Sequence, residues 1–165
     1  MIRPSIIFVV ALLLGLASTS IARADALGAG TGAFNRGDYN TAARLLLPQA
    51  ERGNARAQGM VGFMYATGQG LPQAYDAAGY WYRLAAEQGD TTSQYLLGLA
   101  YDKGQGVPQD DVAAYKWLNL AAAHAPKKTR ENFAKLRNAV ASKMSRGQIA
   151  AGQWHALRWP EESPF

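Results

Sequence analysis

The chain has 165 residues, 48% hydrophobic and 18% charged, with a formal net charge of +5 and no cysteine. This length and composition point to one domain with a packed core and exclude wholesale disorder. The absence of cysteine removes disulfides, thiolate metal sites, a cysteine nucleophile and the cysteine-borne lipid anchor of bacterial envelope proteins.

The first element reads as a leader. Arg3 gives a positive start, Ile6 to Leu16 an apolar run, and Ser18 to Ala24 a small, polar stretch. The run falls short of the about 20 apolar residues that a spanning helix needs. Ala22-Arg23-Ala24 fits a small-x-small cleavage pattern, so residues 1–24 are expected to be a secretory signal cut before Asp25, with Ser20-Ile21-Ala22 as the second possible site. Without Arg3 and Arg23 the net charge is +3. The expected location is periplasmic or secreted, with no stable membrane insertion after cleavage.

Residues 25–37 are rich in Ala and Gly, which predicts a short, weak helix. Asn35-Arg36-Gly37-Asp38 reads as a turn with Asp38 as N-cap of a following helix, whose Ala42, Leu45, Leu46 and Gln49 recur at helical spacing. Pro48 is expected to kink its last turns, and Gly53-Asn54 to end it.

From here the chain repeats itself. Gly68-Gln69-Gly70-Leu71-Pro72-Gln73 returns as Gly104-Gln105-Gly106-Val107-Pro108-Gln109, 36 residues on. Ahead of this turn, Gln58, Gly62 and Tyr65 recur as Gln94, Gly98 and Tyr101. Behind it, Ala78, Trp81, Leu84 and Ala85 recur as Ala114, Trp117, Leu120 and Ala121. A fixed period of this length signals stacked helical repeats. Tyr65, Tyr101, Trp81 and Trp117 fall on the stripe that stacking buries. Gly62 and Gly98 are costly in mid-helix unless another helix backbone packs against them. Asp110 stands where it can cap the second helix of its repeat, whereas the first repeat has Ala74 there, which cannot.

After Pro126 the sequence period is lost. Thr129 is expected to cap a helix with Phe133, Leu136, Val140 and Met144 on one face. Ser145-Arg146-Gly147-Gln148 reads as a capping box opening a last helix with Ile149, Ala150, Trp154 and Leu157 as its apolar side, stopped by Pro160. Such an atypical pair suits the exposed end of a repeat array.

These residues resemble Sel-one-like repeats, relatives of the tetratricopeptide repeat. The resemblance rests on Ala55-Arg56-Ala57-Gln58, Gly62, Tyr65, the Gly68–Pro72 turn, Ala78, Trp81 and Ala85-Ala86. It rests equally on Gln94, Leu97-Gly98, Tyr101, the Gly104–Asp110 turn, Ala114, Trp117 and Ala121-Ala122. Departures are Ala74, Val61 and the opening Thr91-Thr92-Ser93. The resemblance implies an all-α, right-handed solenoid of stacked antiparallel helix pairs: a tetratricopeptide-like pair over 25–54, repeats over 55–90 and 91–126, and a capping pair with tail over 127–165. It also implies protein–protein interaction and scaffolding, and brings no catalytic motif.

Tetratricopeptide geometry would point Arg56, Phe63 and Thr67, then Tyr95, Leu99, Asp102 and Lys103, into a concave groove for a peptide or protein partner. Lys127, Lys128, Arg130 and Lys135 open a basic stretch that continues through Arg137, Lys143 and Arg146 with only Glu131 against it. It reads as a solvated helix face or an electrostatic contact. No cofactor or metal is expected: His124 and His155 lack partners at ligating spacing, and the Gly-x-Gly turns follow no strand. Neither a Ser-x-x-Lys nor a Gly-x-Ser-x-Gly nucleophile motif occurs, and export argues against nucleic acid. The expected function is an exported, non-enzymatic interaction module. The alternatives are a peptidoglycan-related envelope enzyme or accessory factor, and a secreted effector or adhesin binding a host protein.

Overall fold

The computed structural model describes residues 25–162, so the expected leader over 1–24 lies outside the described residues. Among these the chain forms eight helices and no strand. They are α1 (25–35), α2 (Tyr39–Glu51), α3 (Ala55–Thr67), α4 (Tyr75–Glu87), α5 (Thr91–Lys103), α6 (Asp111–His124), α7 (Lys127–Ala141) and α8 (Arg146–Glu162). Successive helices from α2 to α7 pack on one another, giving the expected all-α solenoid. Helix starts keep the repeat spacing where the sequence no longer does: Ala55, Thr91 and Lys127 are evenly spaced, as are Tyr39, Tyr75 and Asp111.

Local chemistry sets the boundaries. The carboxylate of Asp38 accepts from the Thr41 N–H, Asn54 from Ala57, Asp90 from Ser93, and Asp110 from Val112 and Ala113. Each satisfies an N–H that the first helical turn leaves without a partner. Ala74 makes no such bond. Gly68 and Gly104 end α3 and α5 in the left-handed conformation. Ser145 and Gln148 form the expected reciprocal box before α8.

Between helices, the ring of Tyr82 lies on Gly62, where an added Cβ would stand 2.7 Å from it, and Leu118 lies on Gly98 in the same way. The mid-helix glycines thus receive a side chain rather than another backbone as the nearest neighbour. Buried Gln58 and Gln94 each donate from Nε2 to a carbonyl near the end of the preceding helix, Ala50 and Ala86, which ties repeat to repeat. Trp117 is buried, while Trp81, Tyr65 and Tyr101 are half-buried at the core margin.

α2 runs through Pro48 to Glu51 and ends before Gly53-Asn54 as expected; an internal proline forfeits one N–H bond but keeps a helical φ. Three expectations need correction. Residues 25–35 are fully helical and bury Ala33 in the core, since tertiary packing outweighs the glycine penalty. α7 begins at Lys127 behind Pro126, and the Thr129 hydroxyl donates to the Pro126 carbonyl instead of capping an N–H. α8 continues past Pro160 to Glu162 for the same reason as α2.

The final pair is also unlike the others. α7 and α8 both rest on α6. Gly152 of α8 gives room for the Tyr115 ring, and Trp159 meets Trp117 edge-on at 6.4 Å.

Candidate functional site

Residues of α1, α3 and α5 line a common cleft. Arg56 stands exposed in the first turn of α3, and Phe63 lies two turns on, half-buried and edge-on to Phe34 of α1 at 5.4 Å. The cleft opens between α3 and α5 with a volume of about 520 Å³, within the range of functional ligand sites. Phe34, Met60, Phe63 and Leu96 make its apolar wall, and Arg56, Asp90, Thr92 and Ser93 its polar one.

The electrostatics of the polar wall are uneven. Asp90 spends Oδ1 on the Ser93 N–H at 2.7 Å, and its charge sits at the positive end of the α5 dipole. Arg56 engages no partner among the described residues. The Ser93 hydroxyl is fully buried at the cleft margin and also lacks a partner.

The other expected groove residues go elsewhere. Thr67 lies beyond the cleft and donates from its hydroxyl to the Phe63 carbonyl at 2.8 Å. Tyr95 stacks face to face on Phe133 of α7, ring centroids 4.3 Å apart. Asp102 binds the Lys143 ammonium at 2.6 Å, and Asp111 binds it at 2.8 Å. The Asp102 hydrogen bond and then that of Asp111 hold the Lys143 pKa above the usual lysine value. Leu99 borders a separate recess of about 90 Å³ with Tyr75, Tyr82 and Gln105. Lys103 is exposed in the last turn of α5, where its charge suits the helix dipole.

The structure therefore brings Arg56 and Phe63 together and does not bring Tyr95, Leu99, Asp102 or Lys103 to them. Phe34, Gly59, Met60, Asp90, Thr92, Ser93 and Leu96 complete the cleft and were not expected there. For three of them the signal lay in the repeat itself: Gly59 stands where the next repeat has Tyr95, and Thr92-Ser93 departs from the Ala-rich opening.

The basic stretch is largely spent within the chain. The Arg130 guanidinium donates to the Ala125 carbonyl at 3.1 Å, closing the end of α6. Lys135 pairs with Glu131 on an exposed helix face, an interaction of small worth. Arg137 donates to Asn119 and Asn138. Lys127 and Lys128 remain as the outward-facing charges at the start of α7.

Comparison with known proteins places this geometry. Residues 55–90 and 91–125 each match the Sel1 repeat model. A protective antigen of uropathogenic Escherichia coli displaying an SLR fold superposes with a TM-score of 0.76 and 24% identity, over 86% of this chain and 30% of that one. A Sel1 repeat protein from Oxalobacter formigenes superposes with a TM-score of 0.61 and 32% identity, over 66% of this chain and 43% of that one. The chain thus spans less than half the length of either structure. No curated protein matches it.

Proposed function

From the two Sel1 repeats that this chain carries, we propose that it is an exported, non-enzymatic interaction module that holds a protein partner at the cleft lined by α1, α3 and α5. Repeats of this family commonly mediate protein–protein interaction. The observation that supports the reading is the open cleft between α3 and α5, where an apolar wall meets a guanidinium that has no partner among the described residues. Aromatic and Arg side chains around a pocket are the favoured anchors of protein interfaces. Rigid helices backed by the core would present these anchors already in place, which lowers the ordering cost of binding.

Export is part of the proposal and rests on the N-terminal pattern of Arg3, the Ile6–Leu16 run and Ala22-Arg23-Ala24. Among the described residues no helix is long and apolar enough to cross a membrane.

A photo-crosslinking amino acid at Met60 in the producing cell should yield an adduct with one protein, and the same probe at Tyr80, exposed on α4 and outside the cleft lining, should not. Adducts at Tyr80 alone would place the contact outside the cleft. N-terminal sequencing should find a chain beginning at Asp25 in the envelope or medium; an intact Met1 terminus in the cytosol would end the export reading.

A further inference from the structure

Gly59 and Tyr95 hold the same position in successive repeats, and they leave opposite surfaces. Tyr95 stacks on Phe133, so the space between α5 and α7 is occupied by the chain's own aromatic rings. At Gly59 the Ser93 hydroxyl takes the place of a side chain, 2.5 Å from where a Cβ would stand, so no aromatic ring covers the cleft that both residues line. Both residues carry a cost. A helical glycine is less favourable than alanine, and a buried hydroxyl without a partner among the described residues is destabilising.

The cleft is chemically one-sided. Phe34, Met60, Phe63 and Leu96 offer an apolar surface in which methionine adapts to the shape of what it meets. Asp90 keeps its charge but lends Oδ1 to the cap of α5, whose helix dipole offsets it, so the cation at the rim without a partner among the described residues is Arg56. A guanidinium without a partner is matched best by a carboxylate, which it binds in a two-pronged fashion. Thr92, exposed on the opposite wall, adds a hydroxyl that both donates and accepts, as a peptide main chain does.

We propose that the occupant of this cleft is a peptide segment of the partner protein that seats one bulky apolar side chain against Phe63 and Leu96 and carries a neighbouring acidic residue that pairs with Arg56. This rests on the interaction-module reading and sharpens it. Recognition belongs to the first repeat, and Phe133 of α7 already closes the equivalent place in the second.

The protein purified from its producing cell is panned against short random peptides. Enriched sequences should join Leu, Met or Phe to an adjacent Asp or Glu. Arg56→Glu should weaken these peptides about tenfold and shift enrichment to Lys or Arg at the flanking position, a switch that misfolding cannot imitate. Gly59→Tyr, which installs the residue of the second repeat, should abolish binding. Peptides that bind wild type, Arg56→Glu and Gly59→Tyr equally would overturn the cleft assignment while leaving the module reading intact. No enrichment at all, with adducts still forming at Met60, would overturn the peptide class alone. No enrichment and no adduct would overturn both.

Discussion

The α-carbon of Gly106 lies directly against the main-chain carbonyl of Tyr75, the first residue of α4. One repeat earlier, Gly70 lies in the same way against the carbonyl of Tyr39, the first residue of α2. The second glycine of each turn is thus an inter-repeat contact, and the first, Gly68 or Gly104, closes its own helix. At the third interface no glycine turn is available. Lys143 there reaches Asp111, the first residue of α6, at 2.8 Å. An ion pair takes the place of a backbone contact where the array ends.

This division predicts unequal losses for two similar substitutions. Gly104→Ala meets only the left-handed φ of 65°, with Gln109 Cβ at 3.3 Å as its nearest neighbour, and should cost about 1–2 kcal/mol. Gly106→Ala adds to a comparable φ of 71° a clash with the Tyr75 backbone. Its loss should be about 3 kcal/mol or more, because neither backbone can yield without separating the repeats. Urea denaturation of the two variants decides it, and equal losses would show that the contact between repeats is not the constraint.

The two second helices allow a gain as well as a loss. Ala74 has φ −152° and ψ 100°, and Asp110 has φ −151° and ψ 106°. The backbone at Ala74 is therefore already set for a cap and lacks only the side-chain oxygen. Ala74→Asp should raise stability by about 1 kcal/mol, and Asp110→Ala should lower it by about the same. A denaturation midpoint that does not rise for Ala74→Asp would show that the neighbouring Asp76 already supplies what the cap would add.

Much of this fold was legible because its determinants are local and occur twice. Asp38, Asp110, Ser145 and the turn glycines act on neighbours within a few residues, so their roles can be read along the chain. The expected groove was harder. Tyr95 meets Phe133, and Asp102 meets Lys143 across 41 residues of sequence, and nothing near either residue announces the partner. The sequence period fades after Pro126 although α7 still begins in register at Lys127. The last interface keeps the spacing with different side chains, and only the coordinates of α7 reveal that two expected groove residues are covered. Gly59 had a signal in the Gly59/Tyr95 mismatch, but a glycine contributes by what it omits.

Alkaline pH should destabilise the protein through the buried phenol of Tyr82. Burial pushes the Tyr82 pKa far above its usual value, and among the described residues its hydroxyl has no hydrogen-bond partner. The unfolded chain releases this proton near pH 10 while the folded chain retains it. Tyr82 therefore contributes stability that is fully present below pH about 10 and falls by up to about 1.4 kcal/mol per pH unit as pH rises toward its folded pKa. Lys143, also raised, acts in the same direction but more weakly, being substantially exposed. Tyr82→Phe should match wild type at pH 7 and lose stability less steeply above pH about 10. Parallel curves for the two proteins, followed by circular dichroism from pH about 8 to 12, would show that Tyr82 titrates freely in the fold.

Gly59 and Ser93 should be coupled, and the sign of the coupling tests how the cleft is built. Gly59→Ala gains helix propensity of about 1 kcal/mol but brings a methyl group to 2.5 Å from the Ser93 hydroxyl, so the single change should give no net gain. Ser93→Ala removes a buried hydroxyl that has no partner and should stabilise by about 1 kcal/mol. In the double variant the clash is gone and the propensity gain is released, so its stability should exceed the sum of the single effects by about 1 kcal/mol. Additive values from the four denaturation curves would mean that Ser93 turns aside at no cost.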